Sequence, residues 1–424
     1  ATARRYNNAR TAPPPPPPSS LASSVANVVN VQESAEGQRD VRSMDEWATN
    51  CGVQKAEGFR LNSEDGIDYG VVTDADLPAG GPVVFVPGQM ILSGERLGQE
   101  FGGSTAAGED QLVQAGLDDQ VPLFRLFVKI LAEYEMGDRS PYFPWLNSLP
   151  KRFNNGASMT RACFECLPPY AAALAMKEYQ NFAKLRKALK FVRLSKSTVK
   201  NKTLKKWAYN VAVTRSFEVD GDRRIAPMAD MFNHATDPEV AMNYDEEGNC
   251  IMYTTRDVPA GSPLRMLYGD PTNPSPLFAT FGFLDESSPA TFCKIMHLQP
   301  EMEALGLDYS NLLFYKDTGD ISGEVWDVIL YSVLAFDAGL QQNFYQAYMS
   351  GDMETKQAYH EEYYPFTLEA LKQHVDGFLA ELDALSAHAY TKDPASHPRL
   401  PVILKHNEFV RSTFLAVKSR LDAM

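Results

Sequence analysis

Apolar residues keep changing their period along this chain. Around "MDEWATNCGV" a short helix is predicted, with Trp47 as its anchor. "YGVV" and "VVFVP" follow as β-branched and aromatic runs separated by the turn residues of "DLPAGG", so strand, turn and strand are expected. Helical spacing then takes over in "VPLFRLFVKILAEYEMG" and "YAAALAMKEYQNFAKLRKALKFVRL". Between them "SPYFPWLNSLP" reads as an aromatic, proline-punctuated loop. "KWAYNVAVTRSFEV" predicts a helix with a strand-like exit. Residues 225–285 return to short strands and turns, and "CIMYTTRDVPAGSPLRMLYG" is expected to be a hairpin. From about residue 300 on, "VWDVILYSVLAFDAGL", "FTLEALKQHVDGFLAELDALSAH" and "HNEFVRSTFLAVKSRLDAM" carry i, i+3, i+4 apolar spacing. A β-rich core is therefore expected to be split by a helical insert and followed by a helical domain. Such inserts enter at surface loops.

Composition narrows the class. The 424 residues are 44% hydrophobic and 22% charged, which suits a globular chain with sizeable cores. A net charge of −14 argues against general nucleic-acid binding, which needs a basic footprint. No apolar run reaches membrane-spanning length, so neither nucleic acid nor membrane is expected as a partner, and nothing demands an oligomer. Cys51, Cys163, Cys166, Cys250 and Cys293 are few and scattered, as in a reducing compartment. Residues 1–44 are rich in Pro, Ser, Asn and Ala and contain "APPPPPPSS", so a disordered leader is expected there. Arg4, Arg5 and Arg10, with no acid before Glu33, fit either a targeting remnant or a plain tail.

Candidate chemistry is sparse. In "PMADMFNHA", Asn233 and His234 follow an apolar turn, and the dipeptide alone reads most simply as a helix cap. No second histidine or carboxylate cluster lies at ligand spacing, so no metal site is expected. "CFEC" (Cys163 to Cys166) lacks the second pair of a zinc site and reads as two ordinary thiols. Lys184 to Lys206 holds ten basic residues and no acid; it reads as a solvated face, as a dock for an acidic partner or as an RNA contact. Phosphate-loop and Gly-x-Ser-x-Gly motifs are absent.

Order is more informative than any single piece. "WAYNVAVTRSF", "IAPMADMFNHA", "YTTRDVPAGSPLRMLYGD" and "LFATFGF" follow one another. This series resembles the SET-domain methyltransferases, and within them the plant Rubisco large-subunit methyltransferase-like branch, over roughly residues 45–424. The resemblance implies an α+β fold. A SET-type, β-clip-like core would occupy 45–286 (core 45–92 and 206–286, helical insert 93–205). An all-α substrate-binding domain would occupy 290–424. The implied activity is S-adenosyl-L-methionine-dependent N-methylation of a non-histone protein, on lysine or, in some relatives, histidine. A SET-fold binding module without activity is the rival. A plastid and a cytoplasmic setting both stay open.

By the same resemblance Arg215 would hold the cofactor carboxylate, a role that suits a fork of donors. Asn233 and His234 would bind the methionyl ammonium and the adenine edge, Phe283 would stack on adenine, and Tyr268 would be the catalytic tyrosine. The glycine-rich cofactor loop matches "IDYGVV", with Tyr69 and Gly70, although Asp68 stands where a glycine is common; "KAEGFRL", with Glu57 and Gly58, is the alternative. The usual Tyr-Gly-Phe is here Phe281-Gly282-Phe283. The lost hydroxyl is expected to bear on how many methyl groups are added.

Overall fold

The architecture comes from a computed structural model that describes residues 27–292 and 296–424. Arg4, Arg5, Arg10, the proline run and Cys293 lie outside the described residues. Order begins earlier than expected. Residues 27–44 are not a loose leader: Val29, Val31 and Val41 are buried in the main core, and Ala35 is buried as well. These apolar residues are spread thinly among polar neighbours.

Asp40 caps α1 (Val41–Asn50) by accepting from Ser43 N, and the helix buries Val41, Met44 and Ala48. Five short strands follow: β1 (Gln54–Lys55), β2 (Phe59–Asn62), β3 (Gly70–Thr73), β4 (Pro82–Val86) and β5 (Leu92–Ser93). The insert comprises α2 (Gly94–Phe101), α3 (Ala106–Gln114), α4 (Val121–Met136), α5 (Phe143–Ser148), α6 (Arg161–Phe164), α7 (Pro169–Ala188), α8 (Lys196–Lys200) and α9 (Lys202–Arg215). "SPYFPWLNSLP" is thus partly helical: α5 starts with Pro144 in its first turn, where no amide is lost, and buries Trp145. The chain then returns through β6 (Phe217–Val219), β7 (Asp222–Ile225), β8 (Asn233–His234), β9 (Val240–Tyr244), β10 (Cys250–Thr254), β11 (Pro263–Met266) and α10 (Pro274–Phe281). The C-terminal region holds a two-stranded sheet of β12 (Ala290–Phe292) and β13 (Leu313–Tyr315). Around it lie α11 (Gln299–Ala304), α12 (Gly323–Val333), α13 (Ala338–Ser350), α14 (Met353–Tyr390) and α15 (Leu400–Asp422).

The core strands form three sheets, ordered β1-β4-β10-β9, β2-β3-β11-β8 and β5-β7-β6. The expected β10–β11 hairpin does not form, because its two strands belong to different sheets. Each leaves its sheet at a corner, and the two corners carry the same Asp-x-Pro-Ala-Gly sequence, Asp76 to Gly80 and Asp257 to Gly261. They clasp each other reciprocally. Leu77 and Val258 exchange backbone hydrogen bonds. Asp257 Oδ1 accepts from Ala79 N and Asp76 Oδ1 from Ala260 N, both at 2.8 Å. Gly80 and Gly261 supply the positive φ that ends each turn. With this swap β3 pairs with β11 and β4 with β10. The same swap sets β11 beside β8 in parallel, Met266 opposite His234.

A second core fills the C-terminal helices around Phe314, Phe378 and Phe414. Cys163, Cys166, Phe278, Leu400 and Ile403 join these helices to the insert. Both cysteines are buried in that contact, and burial raises the Cys166 thiol pKa, which suits packing rather than reactivity. Cys51, Cys163, Cys166 and Cys250 are free thiols.

Candidate active site

β8 and β11 bring "FNHA" against "LYGD". Tyr268 N donates to His234 Nδ1 at 3.1 Å, so that nitrogen carries the lone pair. The other nitrogen, Nε2, then holds the hydrogen and faces Asp285 Oδ2 at 2.9 Å. Burial pushes the Asp285 carboxyl up, but hydrogen bonds from Ser287, Thr236 and His234 outweigh it and hold it below the ordinary range. The imidazole is thereby fixed in one tautomer and one plane; its side chain is only 3% exposed.

Tyr268 is clamped from the other side. Its hydroxyl donates to the Phe232 carbonyl at 2.5 Å. Burial pushes the phenol up to about 12, against a smaller opposite pull from Arg215. It therefore stays a neutral donor throughout the physiological range. Around it stand Phe281 at 4.9 Å, His234 at 5.5 Å, Phe217 at 6.0 Å and Phe283 at 6.2 Å between ring centroids. Gly282 makes this enclosure possible. It ends α10 with φ +86°, and a Cβ there would stand 2.4 Å from Asn155 N, so the backbone passes close and both phenylalanines turn inward.

The cationic wall begins at the end of α9. Arg215 Nη1 donates to the Asp230 carbonyl at 2.6 Å. The Asp230 carboxylate is fully enclosed and accepts from Trp145 Nε1 at 2.9 Å and Met228 N at 3.0 Å. Burial raises its pKa, and Arg215 is the chief opposing influence. Met228 pays for this tight turn with φ +80°, a conformation an L-residue adopts only under constraint. The turn delivers Phe232, Asn233 and His234 to the cavity.

Asn233 Nδ2 donates to the Tyr69 carbonyl at 3.2 Å. Gly70 has to lack a side chain here, since a Cβ would stand 2.7 Å from Asn233 Nδ2. "IDYGVV" is the loop at the cavity. Gly58 of the alternative "KAEGFRL" serves the β1–β2 turn instead, where a Cβ would meet Ala75 N at 2.5 Å.

Tyr69, Arg215, Asn233, His234, Tyr268 and Phe283 all line one cavity of about 450 Å³, and Gly70 adjoins it through Asn233. Sequence reasoning missed Glu36, Arg39 and the Arg152–Asn154 stretch, which line it too. Arg39 lies 5.0 Å over the Tyr69 ring and donates to the Ser148 and Ile67 carbonyls. Burial, and then Arg215, lower its pKa to about 10. Glu36 Oε2 accepts from the Lys151 and Arg152 amides. Asn154 keeps a buried side-chain oxygen without a partner among the described residues. Three guanidiniums (Arg39, Arg152 and Arg215), two carboxylates (Glu36 and Asp68), an orphan acceptor and an aromatic wall make a lining suited to a zwitterion with a flat ring system. Among the described residues no three His, Cys, Asp or Glu side chains gather into a metal site.

Most of this lining lies within a stretch that a known family model matches, with Glu36, Arg39 and Phe281 to Phe283 outside it. The family model described as SET domain matches residues 68–269, just under half of the chain. The full outline is similar to solved structures. One is the SET domain of LSMT bound to lysine and AdoHcy, at 12% identity and TM-score 0.62, covering 91% of each chain. Another is Rubisco LSMT bound to AdoMet, at 14% identity and TM-score 0.61, covering 91% of this chain and 92% of that one. Rubisco LSMT bound to sinefungin and monomethyllysine aligns at 12% identity and TM-score 0.60, over the same shares. At such identities the likeness establishes the fold: a SET core with an insert and a helical C-terminal region. No curated protein matches the chain in sequence.

Proposed function

We propose that this chain is an S-adenosyl-L-methionine-dependent protein N-methyltransferase that acts on a lysine side chain of a non-histone protein. The observation that carries the proposal is convergence: residues from Tyr69, the end of α9, β8, the segment after β11 and the end of α10 meet in one cavity of fitting size. The similar structures, by their titles, hold AdoMet, AdoHcy, lysine or methyllysine, which favours the same chemistry here.

The residues fit the cofactor. Arg215 would take its carboxylate, with Arg39 as a second cation nearby, and Asn233 its ammonium. The edge of β8 at Asn233–His234 would read adenine, with Phe283 against the ring. Bound there, S-adenosylmethionine supplies a methyl group activated for transfer to an amine. The chain's own task is to deliver a neutral amine in line. A free lysine has a pKa of about 10.4, so neutrality at pH 7 costs roughly 4 to 5 kcal/mol. The apolar rings of Phe281 and Phe283 in the cavity wall exclude water, which disfavours the charged form and lowers that cost. Tyr268, held neutral with its one hydrogen given to the Phe232 carbonyl, offers its oxygen as an acceptor that positions the amine and does not act as a base. The helical region at 290–424 is proposed to hold the protein substrate.

The test is transfer of a labelled methyl group into proteins of a cell extract, with mass spectrometry of the product. Tyr268→Phe should lower the rate by about 100-fold or more, while affinity for S-adenosylhomocysteine stays within about threefold. A Tyr268→Phe variant as active as the wild type would contradict the role given to the hydroxyl. Modified histidine in place of lysine would correct the target.

A further inference from the structure

The basic stretch from Lys184 to Lys206 plays no part in the cavity. It folds as the end of α7, a 3₁₀ turn at Leu189–Phe191, α8 and the start of α9. Leu185, Ala188, Leu189 and Leu204 turn into the core, which leaves the cations outside. Eight of the ten are exposed; Lys205 and Lys206 are partly covered. Among the described residues, none of those eight has a carboxylate within ion-pair distance. Among the described residues the stretch forms one ion pair, the long Lys206–Glu33 contact at 4.0 Å. The cations crowd one another across the fold. Arg186 and Lys190, from the end of α7 and the turn, and Lys202, from α9, all bear on Lys205, whose ammonium is lowered first by burial and then by these three. Phe191 stands in their midst, 47% exposed, with Val192 and Leu194 half-buried beside it.

Unpaired like charges at close range repel and destabilise the fold that carries them. Elsewhere this protein pairs its surface cations freely, as at Arg60–Asp74, Arg411–Asp383 and Lys418–Asp376. We propose that the α7–α9 face is a docking surface for an acidic segment of a protein partner. Three observations choose that occupant over nucleic acid. The patch is short, confined to one stretch of the chain. Without its ten charges the formal −14 becomes −24, so a polyanion extending past the patch meets a strongly acidic surface. A single exposed ring offers a contact for an apolar side chain but no stacking series for bases. The proposal does not depend on the methyltransferase reading, because the patch lies outside the cavity.

Fluorescence anisotropy tests it with the full chain and two labelled probes. One is a 12-residue Asp/Glu peptide containing two leucines, the other a single-stranded 12-nucleotide RNA. The triple variant Lys187→Glu, Lys190→Glu and Arg193→Glu is compared with wild type at 50 and 200 mM salt. The expected result is tighter binding of the peptide than of the RNA, weakened at least tenfold by the variant and severalfold by salt. These side chains are exposed, so the variant should melt no lower than wild type. If it fails to fold, the Gln triple at the same positions replaces it and should weaken the peptide at least threefold. No peptide binding, equal binding by the variant, or tighter binding of RNA would overturn the proposal.

Discussion

A side chain at position 70 would collide with the amide that is proposed to read the cofactor. Gly70→Ala should therefore push Asn233 off the Tyr69 carbonyl and weaken S-adenosylhomocysteine at least tenfold in calorimetry, about 1.4 kcal/mol, with little loss of melting temperature. Unchanged affinity would place the cofactor elsewhere. Lys151 makes a different test. Burial first, then Arg39, lower its ammonium from 10.5 to about 7, and its contacts are the Leu146 and Asn147 carbonyls and the Trp207 ring. Between pH 7 and 10.5 the unfolded chain holds a proton here that the folded chain has released. Stability should rise with pH across that window, and the full penalty applies below it. Lys151→Met should remove that rise; melting curves at pH 6.5 and 9.5 with the same slope in both proteins would refute it. Asn233, His234 and Tyr268 were legible in the sequence because each sits in a short signature. Arg39 and Asn154 were not. Arg39 lies in what reads as a leader and Asn154 in a loop, and only the fold brings them to the cavity.

At the scale of elements the two Asp-x-Pro-Ala-Gly corners decide the topology. The apolar pattern predicts their strands well, but period alone cannot say which strand pairs with which. The reading of β10 and β11 as a hairpin fails because Asp76 and Asp257 serve the opposite corner, and not their own. Asp76→Ala and Asp257→Ala should each cost about 1 kcal/mol. The double variant should cost less than their sum, since both act on one clasp. Additive losses in denaturant unfolding would mean that the two corners are independent. The same logic covers the end of α10. Phe281→Tyr restores a hydroxyl 4.9 Å, ring to ring, from Tyr268, and should shift the number of methyl groups seen by mass spectrometry. An unchanged count would detach that position from product control.

For the whole molecule, residues 27–40 act as a strap. Glu33 meets Arg399 from the far end of the chain at 2.5 Å, and Arg399 also donates to the Phe153 carbonyl beside the cavity. Asn27 and Asp138 are joined as well. The strap thus ties the C-terminal helices and the insert to the rim of the site, and it contributes Glu36 and Arg39 to the lining. Hydrophobic periodicity made the split core and the helical C-terminal region readable. It could not reveal the strap, whose hydrogen bonds reach partners more than a hundred residues away.

The cavity between Tyr69, Arg215, Asn233 and Phe283 is proposed to be the cofactor site. Calorimetry of the full chain with S-adenosylhomocysteine, beside Asn233→Ala, tests it most directly. One site of micromolar affinity is expected, weakened at least tenfold in the variant. No heat from the wild type, or equal affinity in the two proteins, would contradict it.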